Sequence, residues 1–218
     1  PRHGVRRQRQ MCIRDSLGIP AMTAHRAVFA DGDVENQTLL VMGGAGRVGY
    51  YAVQWAHRSG ATVIATASNA VDNAACREAG ADHVVDHRAG DFARQVLDAS
   101  KGAPIDRVID LEFGTNLPVS VEVLKVGGTI AAYGSAREPE PVLPFYPMMY
   151  KDLTVRMIIV YAMPVSAKDH AVADINSALA HGWLRHRVAR TMPLEDIAVG
   201  NEIVEAGDAR GAVILNIA

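Results

Sequence analysis

The stretch "LLVMGGAGRVGYYAVQWAHRSG", residues 39–60, decides the fold. Four glycines fall within seven positions, 43 to 49, between an apolar run and a segment with helical spacing. Gly44, Gly46 and Gly49 satisfy GxGxxG, with Gly43 in addition. Between a strand and a helix each glycine of that pattern has a task. The first permits the tight turn, the second lets the backbone approach a pyrophosphate, and the third lets helix and strand pack closely. The helix that follows offers unpaired N–H groups and a partial positive charge to phosphates. The other common glycine cradle ends in GK[ST], which this one lacks, so a dinucleotide is expected rather than a triphosphate.

The flanking sequence supplies the setting. "TLLVMG" reads as a first strand, and the helix after it carries Tyr51, Trp55 and Arg58 on one stripe beside Val48, Ala52 and Ala56. Gly60 ends that helix. "ATVIATAS" is a second strand and "AVDNAACREAG" a second helix, closed by Gly80. The alternation continues through "DHVVDH", "GDFARQVLDAS", "IDRVIDLEF", the helix "LPVSVEVLKVGG" with Pro118 in its first turn, then the strands "GTIAAYGS" and "LTVRMIIVY". Strands this apolar, separated by helices, imply a sheet covered on both faces. The expected fold is α/β, a six-stranded parallel sheet in doubly wound order.

Composition is consistent with one large domain plus part of another. Of 218 residues 49% are hydrophobic, enough for a sizeable core, and no apolar run reaches the roughly 20 residues of a membrane span. Net charge is −2, so nothing invites nucleic acid or an anionic membrane. Cys12 and Cys76 are too few for a disulfide framework or a four-cysteine zinc site, and a reducing compartment, the cytoplasm, is expected. Residues 1–16 hold five arginines and one acid without apolar patterning, and read as a junction scar or leader outside the fold. Residues 17–37 read as a hinge, 38–164 as the dinucleotide-binding domain. After Pro164 the pattern gives two helices and a closing strand, "GAVILNI", too little to enclose a second core, so residues 165–218 are expected to dock on the sheet domain or on a domain outside the chain.

An acid at the end of the second strand would bind the ribose 2′-OH of NAD. That strand ends in Ser68 and Asn69 instead, which leaves room for a 2′-phosphate and favours NADPH, with NADH possible. Ser68 also reads as a helix cap.

At these residues the sequence resembles the medium-chain dehydrogenase/reductase superfamily, and within it the zinc-independent NADPH:quinone reductase (zeta-crystallin-like) group. The matching pieces are "LGIPAMTAHRAVF", "VMGGAGRVGYYAVQWA", "GATVIATAS", "REAGADHVVDHR", "GGTIAAYGS" and "LPFYPMMYKDLTVRMIIVY", in family order from residue 17 to 161. The resemblance implies a Rossmann domain preceded by a catalytic module that this chain lacks, with the tail returning to it. It implies hydride transfer from NADPH to a quinone or activated double bond without a metal. It places Ala45, Gly46, Arg47 and Val48 along the pyrophosphate, Ser68 and His87 near the adenosine ribose, and Phe113 at the end of the fourth strand. Tyr133, Gly134 and Ser135, with Val160 and Tyr161, would lie near the nicotinamide. Two positions depart from the family, which usually has a Lys and a Tyr touching the 2′-phosphate where Asp72 and His87 stand. The sixth strand implies a homodimer paired along that edge. A sensor module without turnover and a zinc alcohol dehydrogenase relative are the alternatives, and the chain alone is expected to be inactive.

Other constellations are weaker. His181 and His186 are spaced too far round a helix to share a metal. Asp110 and Glu112 would share a strand face and are expected at a rim or against a helix. Lys151 has Pro147, not Tyr, four residues before it, which rules out the short-chain reductase pair, and Cys76 reads as core.

Overall fold

The computed structural model describes residues 17–207 and 209–216. The expected leader, with Cys12, and Ile217 of the expected closing strand lie outside the described residues. Helix α1 spans 17–29. Then follow β1 (Thr38–Val41), α2 (Gly49–Arg58), β2 (Thr62–Thr66), α3 (Ala70–Ala79), β3 (His83–Val85), α4 (Phe92–Ala99), β4 (Ile105–Asp110), α5 (Phe113–Val123), β5 (Leu124–Ala132), α6 (Phe145–Tyr150) and β6 (Thr154–Met157). The tail adds α7 (Val165–Ala180), β7 (Val188–Pro193), α8 (Ile197–Glu205) and β8 (Ala212–Asn216).

Six strands form one sheet in the order β3-β2-β1-β4-β5-β6, every pairing parallel, and β7 and β8 form a second, two-stranded sheet. The order reverses between β1 and β4, the switch point of a Rossmann sheet. Strand periodicity distributes the core to two faces. Leu39 and Val41 point to the side covered by α1, α2, α3 and α7, while Leu40 and Met42 point to the side covered by α4 and α5. The helices stop where the sequence says they should, with Gly60 and Gly80 at φ +79° and +108°.

Residues 17–37, expected as a hinge, contain a helix whose Ala21, Ala24, Ala27 and Val28 are fully buried against the first core cluster. The tail divides. Helix α7 joins that same cluster through Ile175 and Ala178, and His25 of α1 meets Asp174 at 2.8 Å. By contrast α8 leaves Ile197, Val199 and Val204 exposed.

Three element boundaries depart from the sequence reading. Helix α5 begins at Phe113, so Pro118 sits in its second turn and "LKVGG" belongs to β5. The buried Asp110 carboxylate causes the early start: it accepts the Glu112 N–H at 2.9 Å and the Asn116 amide at 2.8 Å. At the far end, Lys151 Nζ donates to the carbonyls of Val121, Glu122 and Leu124, satisfying acceptors that the helix leaves open. Strand β6 ends at Met157 rather than Tyr161. The last hydrogen bond along it runs from the Ile158 N–H to Ala132 O at 2.8 Å, and β5 has no further partner to offer.

Candidate cofactor site

The glycine loop is tied by its own N–H groups to Thr66, at the carboxyl ends of β1 and β2. Gly43 donates to Thr66 Oγ1 at 2.8 Å and Gly44 to Thr66 O at 3.1 Å. Gly43, with φ +64°, makes the tight turn that the sequence pattern assigns to Gly44. Gly44 is instead a place of close approach, where a Cβ would stand 2.7 Å from Ala65 Cβ and 2.9 Å from Cys76 Sγ. At Gly49 a Cβ would lie 2.2 Å from Gly43 O, so only glycine lets α2 start this near to β1. Gly46 and Arg47 face solvent, with Ala45 and Val48 half-buried beside them. Helix α2 has no side-chain cap and no acid in its first turn, which leaves its positive end free for an outside anion. A dinucleotide pyrophosphate fits this cradle.

From the tail, Arg187 Nη1 donates to Ala45 O at 2.6 Å, and its guanidinium lies 5.7 Å from the Tyr50 ring centroid. The same guanidinium is 3.9 Å from Asp72 Oδ1, and Arg210 is 3.7 Å from it. Asp72 is thus engaged away from the end of β2. Asn69 completes its restraint, accepting the Asp72 N–H at 2.9 Å and donating to its other oxygen at 2.7 Å. Asn69 rather than Ser68 is therefore the cap of α3.

Ser68 presents its carbonyl to Arg88 Nη2. Arg88 is a residue that sequence reasoning missed; the only signal was its place directly after His87. Both line a cavity of about 810 Å³ that also touches Gly43, Thr66, Glu112 and Arg137. Glu112 accepts the Arg137 N–H at 2.6 Å across this rim.

At the other end of the switch point, Phe113 opens α5 rather than closing β4, buried with its N–H on Gly134 O at 2.9 Å. Ser135 Oγ accepts the Gly114 N–H at 2.9 Å. With Tyr133 and Gly134 these residues line a pocket of about 330 Å³ that reaches Met157 and Ile159. Burial, and then the Asp110 carboxylate, push the Tyr133 phenol above its usual range. Val160 is buried and Tyr161 exposed in a 3₁₀ turn after β6.

Cys76 is fully buried, and burial pushes its thiol up to about 12, so it packs against the loop and carries no thiolate. His186 bonds Tyr51 and His181 bonds the Ser177 carbonyl, so the two histidines do not converge. Among the described residues no group of three or more His, Cys, Asp or Glu could hold a metal ion, and no helix is long and apolar enough to cross a membrane.

A glycine loop at the switch point of a doubly wound sheet, with an uncapped helix behind it, defines a dinucleotide-binding domain. Residues 48–176, more than half of the chain, match the model of the family described as zinc-binding dehydrogenase. The chain belongs to that family, in the quinone reductase group of the medium-chain dehydrogenase/reductase superfamily. It is 28% identical over 186 residues to a 2-haloacrylate reductase of a Burkholderia species, covering 81% of this chain and 54% of the relative. It is 26% identical over 202 residues to the quinone oxidoreductase of Homo sapiens, covering 92% of this chain and 61% of the relative. A mycobacterial protein solved in complex with NADPH superposes with TM-score 0.82 at 27% identity, covering 93% of this chain and 64% of that one. The chain thus spans little more than half the length of the curated relatives it matches.

Proposed function

We propose that this chain is the NADP(H)-binding portion of an oxidoreductase that delivers hydride to a quinone or another activated double bond. The observation that carries the reading is the end of β2, where Ser68 and Asn69 replace an acid beside the glycine cradle, with Asp72 turned toward Arg187 and Arg210. Names borne by relatives, quinone oxidoreductase and 2-haloacrylate reductase, support the same chemistry.

In this reading the bound cofactor supplies the hydride, and the chain supplies position and electrostatics. Gly44, Ala45, Gly46, Arg47, Val48 and Gly49 hold the pyrophosphate on the positive end of α2. Ser68, Asn69 and His87 surround the adenosine ribose. Phe113, Tyr133, Gly134, Ser135, Val160 and Tyr161 form the wall toward the nicotinamide, where half-buried Tyr133 stays a neutral phenol. Residues 38–164 act as the cofactor half, and 165–218 lead toward the substrate half, a role favoured by the exposed apolar face of α8. A sensor without turnover is favoured by two sequence features, Asp72 and the absent catalytic module; the pairing of Asp72 with Arg187 and Arg210 weakens the first of them.

Titrating the chain with NADPH and with NADH, read by nicotinamide fluorescence, tests the cofactor. NADPH is expected to bind more tightly; binding of neither would overturn the reading.

The partner edge follows from β6. Met157 at the end of β6 and Ile159 just beyond it are exposed, as are Tyr146 and Tyr150 of α6, and an uncovered apolar edge asks for a strand. A second copy paired about a two-fold axis would cover it. Sedimentation is expected to give a dimer at micromolar concentration that Ile159→Lys converts to monomer; a monomeric parent chain would refute the pairing.

A further inference from the structure

We propose that Arg88 selects the 2′-phosphate of NADPH, a role that rests on reading the glycine loop as a dinucleotide site. In a doubly wound sheet the ribose 2′ substituent lies at the carboxyl end of the second strand. Arg88 belongs to the turn after β3, the edge strand beside β2. That turn is closed by Asp86, whose Oδ1 accepts the Arg88 N–H at 3.0 Å. The turn sends the arginine side chain back across the sheet edge, where Nη2 donates to the Ser68 carbonyl. The guanidinium is therefore brought beside Ser68, the position where NAD-binding chains carry an acid.

Three further facts agree. A guanidinium has five N–H donors, and here one goes to Ser68 and another faces Asp86 at 3.5 Å, which leaves donors for phosphate oxygens. The nearest helix acid, Asp72, is held by Asn69 and faces Arg187 and Arg210, so it does not oppose an anion at Ser68. Arg88 and His87 line the same cavity as Gly43 and Thr66, so one ligand can span the glycine loop and the arginine. Asp86 is the competing partner, and its exposed carboxylate can yield the arginine to a doubly charged phosphate.

The test compares Arg88→Met and Arg88→Lys with the parent chain, measuring dissociation constants for NADPH and NADH at low and high salt. Arg88→Met is expected to weaken NADPH about tenfold or more, the loss of one bond to a charged group, and to leave NADH within about twofold. Arg88→Lys is expected to keep part of the preference, and the preference of the parent chain is expected to shrink with salt. Equal weakening of both dinucleotides would assign Arg88 a structural role and overturn the proposal, as would unchanged NADPH affinity. A parent chain that binds both dinucleotides equally would overturn it while leaving the glycine loop as a dinucleotide site. Binding of neither would remove both readings.

Discussion

Gly49→Ala is expected to lower the melting temperature by about 10 °C and to abolish dinucleotide binding. The added Cβ would stand 2.2 Å from Gly43 O and 3.0 Å from Gly44 Cα, both backbone atoms, so no side-chain rotation relieves the clash. Either α2 backs away from β1 or the glycine turn opens, at a cost of about 3 kcal/mol, the upper range for overpacking a tight site. For a chain of this size that energy corresponds to a shift of roughly 10 °C. Both routes also displace the N–H groups of the first helical turn from the pyrophosphate, so binding falls with stability. Gly18→Ala is the control, since among the described residues nothing lies within 4 Å of a Cβ there and the residue is in an exposed part of α1. That variant is expected to melt at or above the parent temperature. Thermal melts and NADPH titration of both variants check the argument. A Gly49→Ala chain that melts and binds like the parent would show that the loop has slack the geometry denies.

The sheet and its order were legible because a buried parallel strand is apolar throughout and glycines punctuate the helices. The glycine loop was legible for the same reason: its spacing encodes backbone geometry. What escaped the sequence depended on side chains reaching across distance. The start of α5 is set by Asp110 holding Glu112 and Asn116, a local bond pattern that no periodicity records. Placing Pro118 in the first turn followed a sound rule, and the rule lost to that carboxylate. Asp72 stands where the family usually has a Lys, and its partners, Arg187 and Arg210, lie more than 100 positions away in the chain, beyond any local pattern. Arg88 was passed over because only the fold sets β3 beside β2. The tight turn moved from Gly44 to Gly43 because a pattern of three glycines cannot say which of four takes the positive φ.

Asp31→Ala is expected to destabilise the chain by about 3–5 kcal/mol, the scale for stripping one partner from a buried ion pair. Asp31 lies just beyond α1 and receives Arg107 Nη2 from β4 at 2.9 Å and Arg156 Nε from β6 at 2.7 Å. The Arg107 side chain is only 5% exposed, its Nη1 donates to Ala27 O at 3.1 Å, and its Nε finds no partner among the described residues. Without the carboxylate that guanidinium stays buried and uncompensated. Adding Arg107→Met to Asp31→Ala is expected to recover much of the loss, because the double variant has no orphaned charge at that site. The pair also predicts a pH effect. Burial alone would raise the Asp31 carboxyl, but the hydrogen bonds from Arg156 and Arg107 outweigh it and hold the group below the usual carboxylate range. A carboxylate lowered in the folded state adds stability that is complete above its unfolded value, about 4, and fades as pH falls through the lower folded one. Melting between pH 5 and pH 3 is therefore expected to drop more steeply for the parent than for Asp31→Asn; parallel slopes would refute the assignment. The consequence reaches the proposed dimer, because Arg156 is one of four residues in β6 and Asp31 is its ion-pair partner. Loosening that tie frees the edge strand whose apolar side chains would meet the second copy, so Asp31→Ala is expected to weaken the dimer at temperatures where the monomer is still folded.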